Sequence, residues 1–154
     1  MAQAKLLLDT NIVVDYLDGR DFDFAATRLL MTAGKVGEFS LWISSSQVTD
    51  LVYILSEGGS KELIGSVLER LRRLRSFVNV YAASASDVDA MLATSWADPE
   101  DELLFEIAMK LHADAIITRN EADFETELIK VCNSSEFFDW FEATRGLSYA
   151  EVDV

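Results

Sequence analysis

One cysteine and one histidine are all that this chain offers of the softer metal ligands. Cys132 has no second cysteine for an internal disulfide, and with His112 alone it cannot assemble a zinc site of Cys and His ligands. A metal bound here is therefore held by oxygen. Long apolar runs are missing too. None approaches the ~20 residues that a membrane span needs, and the N-terminus lacks the basic-then-apolar pattern of a secretory signal. The expected location is the cytoplasm, with no membrane partner. Basic residues are scarce, 13 against 27 acidic ones, for a formal net charge of −14. That balance argues against a non-specific nucleic-acid binder, because affinity for a phosphate backbone comes from Lys and Arg. It leaves room for an enzyme that acts on nucleic acid, since four of the thirteen basic residues fall together at Arg70, Arg72, Arg73 and Arg75. Glycine-rich fingerprints for a P-loop or a dinucleotide are absent.

What is present suffices for a real core: 154 residues, 50% of them hydrophobic, fit one domain of ordinary size spanning residues 1–154. No repeat or low-complexity stretch divides it, and the tail after Gly146 is expected to fray.

Lys5-Leu6-Leu7-Leu8-Asp9-Thr10-Asn11 is an apolar run that ends abruptly in a carboxylate, a hydroxyl and an amide. It reads as a first, central strand with Asp9 at its carboxyl end, where ligands bind in open α/β sheets. A second reading makes Asp9 or Thr10 the cap of the helix that follows. Ile12 to Leu17 reads as that helix, closed by Asp18-Gly19-Arg20-Asp21. Phe24 to Lys35 is the next, followed by a strand at Leu41-Trp42-Ile43. Ser44-Ser45-Ser46 offers caps for a helix reaching about Glu57, with Asp50 flanking its apolar stripe. Gly58-Gly59 ends it, and Ser60 opens a helix whose arginines project away from Leu63, Ile64, Val67, Leu68, Leu71 and Leu74. Val78 to Tyr81 is a strand, and Ser84 or Ser86 opens a helix. The only proline, Pro99, stands at a helix start behind Asp98. Asp114 to Thr118 is a fourth strand ending in Arg119-Asn120, Leu128 to Val131 a fifth, and Ser134 to Thr144 a helix. Its Phe137, Phe138 and Phe141 are spaced for the core. Helices alternating with short apolar strands imply a three-layer α/β/α sandwich around a parallel sheet of four to five strands.

Three features then coincide. Asp9 follows the first strand, Thr118 and Asn120 follow the fourth, and Asp101 lies in the first turn of the helix leading into that fourth strand. Asp50 can enter the same crevice. Each acid also has an ordinary reading: Asp98 and Asp101 approximate a capping box favoured by the helix dipole, and Asp50 sits on a solvated flank. If the carboxylates meet, each pair of charges ~4 Å apart costs on the order of 4 kcal/mol at an effective dielectric near 20. Protonation or a cation must answer that repulsion. An all-oxygen site of few carboxylates suits Mg²⁺ or Mn²⁺.

Leu6 to Asn11, Ile43-Ser44 with Val48-Thr49-Asp50-Leu51, Asp98 to Leu104, and Ile116 to Phe124 together resemble a PIN domain. They are similar in particular to the toxins of VapBC-type toxin–antitoxin pairs. The resemblance runs from Lys5 to about Phe141. It implies a Mg²⁺-dependent endoribonuclease whose acids map onto Asp9, Asp50 and Asp101, with Asn120 and Asp123 near the fourth. Asp9 and Asp101 would hold the metal, and Thr10, Asn11, Thr118 and Asn120 would be supporting polar groups. It also implies an RNA substrate, a small antitoxin partner and a homodimer. Two departures stand out: relatives usually carry Glu at the position of Asp50, and often Asp at that of Asn120. Asp123 either compensates for the latter or caps the short helix at Phe124.

Rival classes fit less well. A haloacid-dehalogenase-type phosphatase needs a second acid two residues after the first, where this chain has Asn11. A phosphorelay receiver needs an acidic pair and a late lysine, where it has Arg119. The non-enzymatic alternative is a PIN-like binding or scaffold protein with a weakened acidic set. Arg70, Arg72, Arg73 and Arg75 are candidates for contact with RNA or with an acidic partner, their other reading being a solvated helix face. His112, beside Leu111 at a helix end, is expected to be a capping or surface residue.

Overall fold

Alternation along the apolar runs decides how the layers form. In the computed structural model, which describes residues 3–20 and 23–149, Leu6 and Leu8 of β1 (Ala4–Leu8) point to one face and Leu7 to the other. All three are fully buried, as a strand covered on both sides requires. β1 pairs in parallel with β2 (Phe39–Ser44) on one side and with β4 (Ala115–Ile117) on the other. β3 (Val78–Tyr81) adds beyond β2, and β5 (Lys130–Cys132) beyond β4. The sheet order is β3-β2-β1-β4-β5. The chain thus builds outward from β1 in one direction and then crosses back to its other side. A topological switch point falls between β1 and β4, at the carboxyl ends of both, which is where such sheets open a crevice.

The two faces have different coverings. Leu6, Leu8, Leu41, Ile43 and Ile117 pack with α1 (Thr10–Asp18), α2 (Phe24–Lys35), α3 (Val48–Leu55), α4 (Lys61–Arg75) and α7 (Ser134–Arg145). Leu7 and Ile116 pack with Leu104, Ile107 and Ala108 of α6 (Pro99–Leu111), beside which α5 (Ala85–Leu92) runs. This is the three-layer α/β/α sandwich that the sequence implies, with five parallel strands. Phe137 and Phe141 lie in the core around Phe39, each with ring centroids 5.3 Å from it, while Phe138 and Trp140 pack against that core half-buried. Gly34 is fixed by close approach: a Cβ there would stand 2.3 Å from Leu41 Cδ1.

Several boundaries move from their expected places, each for a local reason. α1 begins at Thr10 because Asp9 is its cap. The helix expected from the serine run to Glu57 is divided: Ser45–Gln47 form a 3₁₀ turn, α3 ends at Leu55, and Glu57, Gly58 and Gly59 take φ values of 55°, 88° and 96°. β5 starts two residues late, since its register sets Cys132 opposite Ile117 in the core and leaves Leu128 exposed. Ser84, not Ser86, caps α5, reciprocally with Asp87. His112 is the exposed, left-handed end of α6. Of the turn expected at Asp18 to Asp21, Asp21 lies outside the described residues. Of the tail expected to fray, Tyr149 packs on Phe39, Phe138 and Phe141, and residues 150–154 lie outside the described ones. Among the described residues, no helix is long and apolar enough to cross a membrane.

Candidate active site

Asp9 is the hinge of the crevice. Its backbone leaves the sheet, donating from its N–H to the Ile117 carbonyl at 2.9 Å, and its side chain caps α1 by accepting from the Thr10 N–H at 2.7 Å. The other carboxylate oxygen accepts from the Thr118 hydroxyl at 2.7 Å and, more loosely, from the Asn11 amide at 3.4 Å. Asn11 also accepts from the Arg119 N–H at 3.2 Å, and the Thr118 hydroxyl accepts from the Asn120 N–H at 3.0 Å. The polar residues expected around Asp9 therefore tie the ends of β1 and β4 together. Capping and chemistry are not alternatives here, because Asp9 has two oxygens and only one is needed for the cap. Burial pushes its carboxyl above the ordinary range, and the bonds from Thr118 and Thr10 oppose that rise without cancelling it.

The N-terminus of α6 supplies the facing wall. Asp98 caps it, accepting from the N–H groups of Glu100 at 3.0 Å and Asp101 at 3.3 Å. Asp101, only 7% exposed, then points its carboxyl toward that of Asp98 instead of closing a reciprocal cap. Asp123, the last residue of a short 3₁₀ turn at Glu121–Asp123, completes a trio with them. Oxygens of Asp98, Asp101 and Asp123 all lie within 4.8 Å of one another. Asp123 thus stands beside the acids of α6, on the short turn that precedes Phe124. Burial first, and then the charges of Asp9, Asp98 and Asp123, push the Asp101 carboxyl up to about 7. The influence of Asp9 places it in the same field as the trio.

Between Asp9 and the first turn of α3 the crevice narrows to a small cavity of about 150 Å³. Asp9, Thr10, Ser46, Gln47, Asp50 and Glu100 contribute its polar lining, and Leu103 and Leu104 its apolar part. Asp50 is exposed at its mouth. Asn120 is also exposed, at the rim below Thr118.

Three contributors were not assigned to the site from sequence. Asp98 reads there as a cap only, and Glu100 as part of an acidic helix start, yet four acids among the five residues Asp98 to Glu102 exceed what a helix dipole needs. Gln47 carries no functional reading in the sequence. It is buried, donates to the Leu8 carbonyl at 2.9 Å and the Thr10 hydroxyl at 3.2 Å, and accepts from the Ser44 N–H at 2.7 Å. Ser44 with Gln47 three residues on is a capping-box signature, and that was the available signal.

The arginine run falls elsewhere. α4 ends just before β3 begins, so Arg75 sits at the amino end of β3, the end of the strand away from the crevice. Arg70 donates to the Leu17 carbonyl at 2.6 Å and pairs with Asp18 at 2.9 Å, and Arg72 and Arg73 pair with Glu69. Arg75 donates to the Val78 carbonyl at 3.2 Å. Arg72 and Arg75 also border an aliphatic groove of about 390 Å³ between α3, α4 and the β3 edge.

Three carboxyl groups with oxygens within 4.8 Å of one another, one of them raised to about 7 by burial and then by its acidic neighbours, are a donor set of the kind that hard divalent cations take. Fold and site together define a class: a parallel α/β protein with an acidic crevice at the switch point of its sheet. The chain belongs to the PIN domain family, whose model matches residues 5–122. No curated protein matches it significantly. Among solved structures it is similar to VapBC from Salmonella typhimurium bound to DNA, with a TM-score of 0.64 at 16% identity over 86% of this chain and 99% of that one. It is also similar to VapBC2 from Rickettsia felis bound to a promoter fragment, at 0.61 and 19% over 84% and 98%. A third is VapC20 from Mycobacterium tuberculosis, described as a sarcin-ricin loop cleaving toxin, at 0.58 and 10% over 81% and 98%.

Proposed function

We propose that this chain, folded as one PIN-type domain, is a Mg²⁺-dependent endoribonuclease and the toxin of a type II toxin–antitoxin pair. The observation that carries the reading is the convergence of Asp98, Asp101 and Asp123, within the field of Asp9, at the carboxyl ends of β1 and β4. Asp9 and Asp101 are the residues that would hold the cation, with Asp98 and Asp123 beside them and Asp50 at the mouth. When bound, such an ion lowers the pKa of a water and neutralises charge on the phosphoryl oxygens.

The protein's own groups do the rest. Thr118 and the Thr10 N–H hold the two oxygens of Asp9 apart and aimed. Asp101, whose carboxyl is raised to about 7 by burial and by its acidic neighbours, would hold the cation in its deprotonated form. Asn120, exposed beside Thr118, offers an uncharged amide to a phosphate or ribose where another carboxylate would repel it. The single histidine lies at the far end of α6, so the reading needs no nucleophile–histidine pair and no covalent intermediate. Two of the structural neighbours, from Rickettsia felis and Salmonella typhimurium, were solved as VapBC bound to DNA. They support a small antitoxin as partner, and a cytoplasmic homodimer completes the proposal.

The test is cleavage of an RNA oligonucleotide in the presence of Mg²⁺. Asp9→Asn and Asp101→Asn should each lower the rate by at least about a hundredfold, as removal of one preorganised electrostatic group does elsewhere, and EDTA should abolish it. A protein that binds RNA or an antitoxin identically with and without metal, and cleaves nothing, would instead be the scaffold.

A further inference from the structure

The sequence assigns the third acid of the crevice to Asp50, but the structure brings a second candidate to the same wall. Glu100 lines the small cavity together with Asp9, Thr10 and Asp50. It stands on the first turn of α6 between Asp98 and Asp101, a turn pinned by the Asp98 cap. Its backbone is thereby held in the same rigid frame as the trio, while its side chain reaches the other way, toward Asp9. Among the described residues, no basic side chain is paired with its carboxylate and no donor is bonded to it. It differs in this from Glu69 and Asp18, which sit under arginines.

We propose that Glu100 is a cation-contacting carboxylate of this crevice, touching the metal directly or through its water, and that Asp50 is peripheral to metal binding. This rests on the metal-dependent reading above. Three features favour Glu100 over Asp50. Its side chain is one methylene longer. It is carried by the element that already carries Asp98 and Asp101, so its position needs no agreement between separate helices. It also joins the two acidic groups that the fold leaves side by side, Asp98, Asp101 and Asp123 on one hand and Asp9 with Asp50 on the other. In keeping with that place, partial burial and the charges of Asp50, Asp98 and Asp9 all raise the Glu100 carboxyl above its ordinary value. A bound cation would reverse the repulsive share of that rise.

The experiment is a thermal-melt titration of the full chain with Mn²⁺ alone, without RNA, for wild type, Glu100→Gln, Asp50→Asn and Asp9→Asn. Stabilisation by a ligand that binds only the native state yields its affinity. Glu100→Gln should weaken the apparent Mn²⁺ affinity by about tenfold or more. Its metal-free melting temperature should equal or exceed that of wild type, which shows that the variant folds. Asp50→Asn should stay within about threefold of wild type. Glu100→Gln binding Mn²⁺ as wild type does, while Asp9→Asn does not, overturns the role of Glu100 and leaves the metal-dependent reading standing. A wild type with no Mn²⁺-induced shift overturns both.

Discussion

Asp101 bears the electrostatic cost of the acidic crevice. In the unfolded chain its carboxyl titrates at the ordinary value of 3.8, and in the folded protein at about 7. Between those two values the native state holds a proton that the unfolded state has lost, so stability falls as pH rises through the window. Asp9 and the buried Glu102 are shifted in the same direction, Glu102 by burial and by its neighbour Glu106. The metal-free protein should therefore melt at a higher temperature at pH 5 than at pH 8, and Asp101→Asn should flatten the difference. Saturating Mn²⁺ should reverse it, because the cation binds the deprotonated carboxylates. A metal-free melting curve that rises steadily from pH 5 to 8 would contradict the placement of Asp101. Asp9 and Asp101 were legible from sequence because each terminates or opens an apolar run. Glu100 was not, because Asp98, Glu100 and Asp101 are equivalent on paper and only the azimuth of each around the first turn separates a cap, a cavity wall and a buried acid.

Elements matter here through how they are pinned to one another at the rim. The 3₁₀ turn Ser45–Gln47 does this for β1 and β2: the Gln47 amide spans from the Ser44 N–H to the Leu8 carbonyl and the Thr10 hydroxyl. No strand pairing is available to the Leu8 carbonyl at that point, since the chain turns at Asp9 into α1. Gln47→Leu keeps the volume and removes all three bonds, leaving buried backbone groups unsatisfied. The expected cost is about 1–3 kcal/mol, read as a lower urea midpoint with an unchanged slope. RNA cleavage should fall with it, since Asp9 is the residue that follows the freed carbonyl. The existence and order of the elements were readable because helical spacing and short β-prone runs differ in period. What pairing alone decides was not: β5 slips to Lys130–Cys132 because β4 offers Ile117 as the partner that buries Cys132. The division of the helix after Ser44 follows the capping box of Ser44 with Gln47, which Ser45 and Ser46 obscure in the sequence as equal cap candidates.

At the scale of the whole molecule, the acidic crevice and the arginine run occupy different ends of the sheet. The crevice lies at the carboxyl ends of the strands and the arginine run, paired in part with Asp18 and Glu69, toward the amino ends, in a chain of net charge −14. An RNA seated in the crevice meets few fixed cations. Arg119, the nearest on sequence grounds, is already paired with buried Asp15 at 2.6 Å. Each neutralised phosphate contributes about −0.7 to the slope of log affinity against log salt for a single strand. Full engagement of Arg70, Arg72, Arg73 and Arg75 would therefore give a slope near −2.8. With those residues outside the crevice lining and bonded to Asp18, Glu69 and Val78, the slope of log(1/KM) for a short RNA oligonucleotide should be shallower than about −1.5. Replacing all four arginines by glutamine should leave both that slope and kcat unchanged. The same replacement should weaken binding of an acidic partner segment if the groove bordered by Arg72 and Arg75 receives one. Kinetics between 50 and 300 mM salt at fixed, saturating Mg²⁺ separate the outcomes, since low salt exaggerates surface charge and high salt screens it. A slope near −3 that collapses in the glutamine variant would place the RNA across the whole length of the sheet, from the acids to α4.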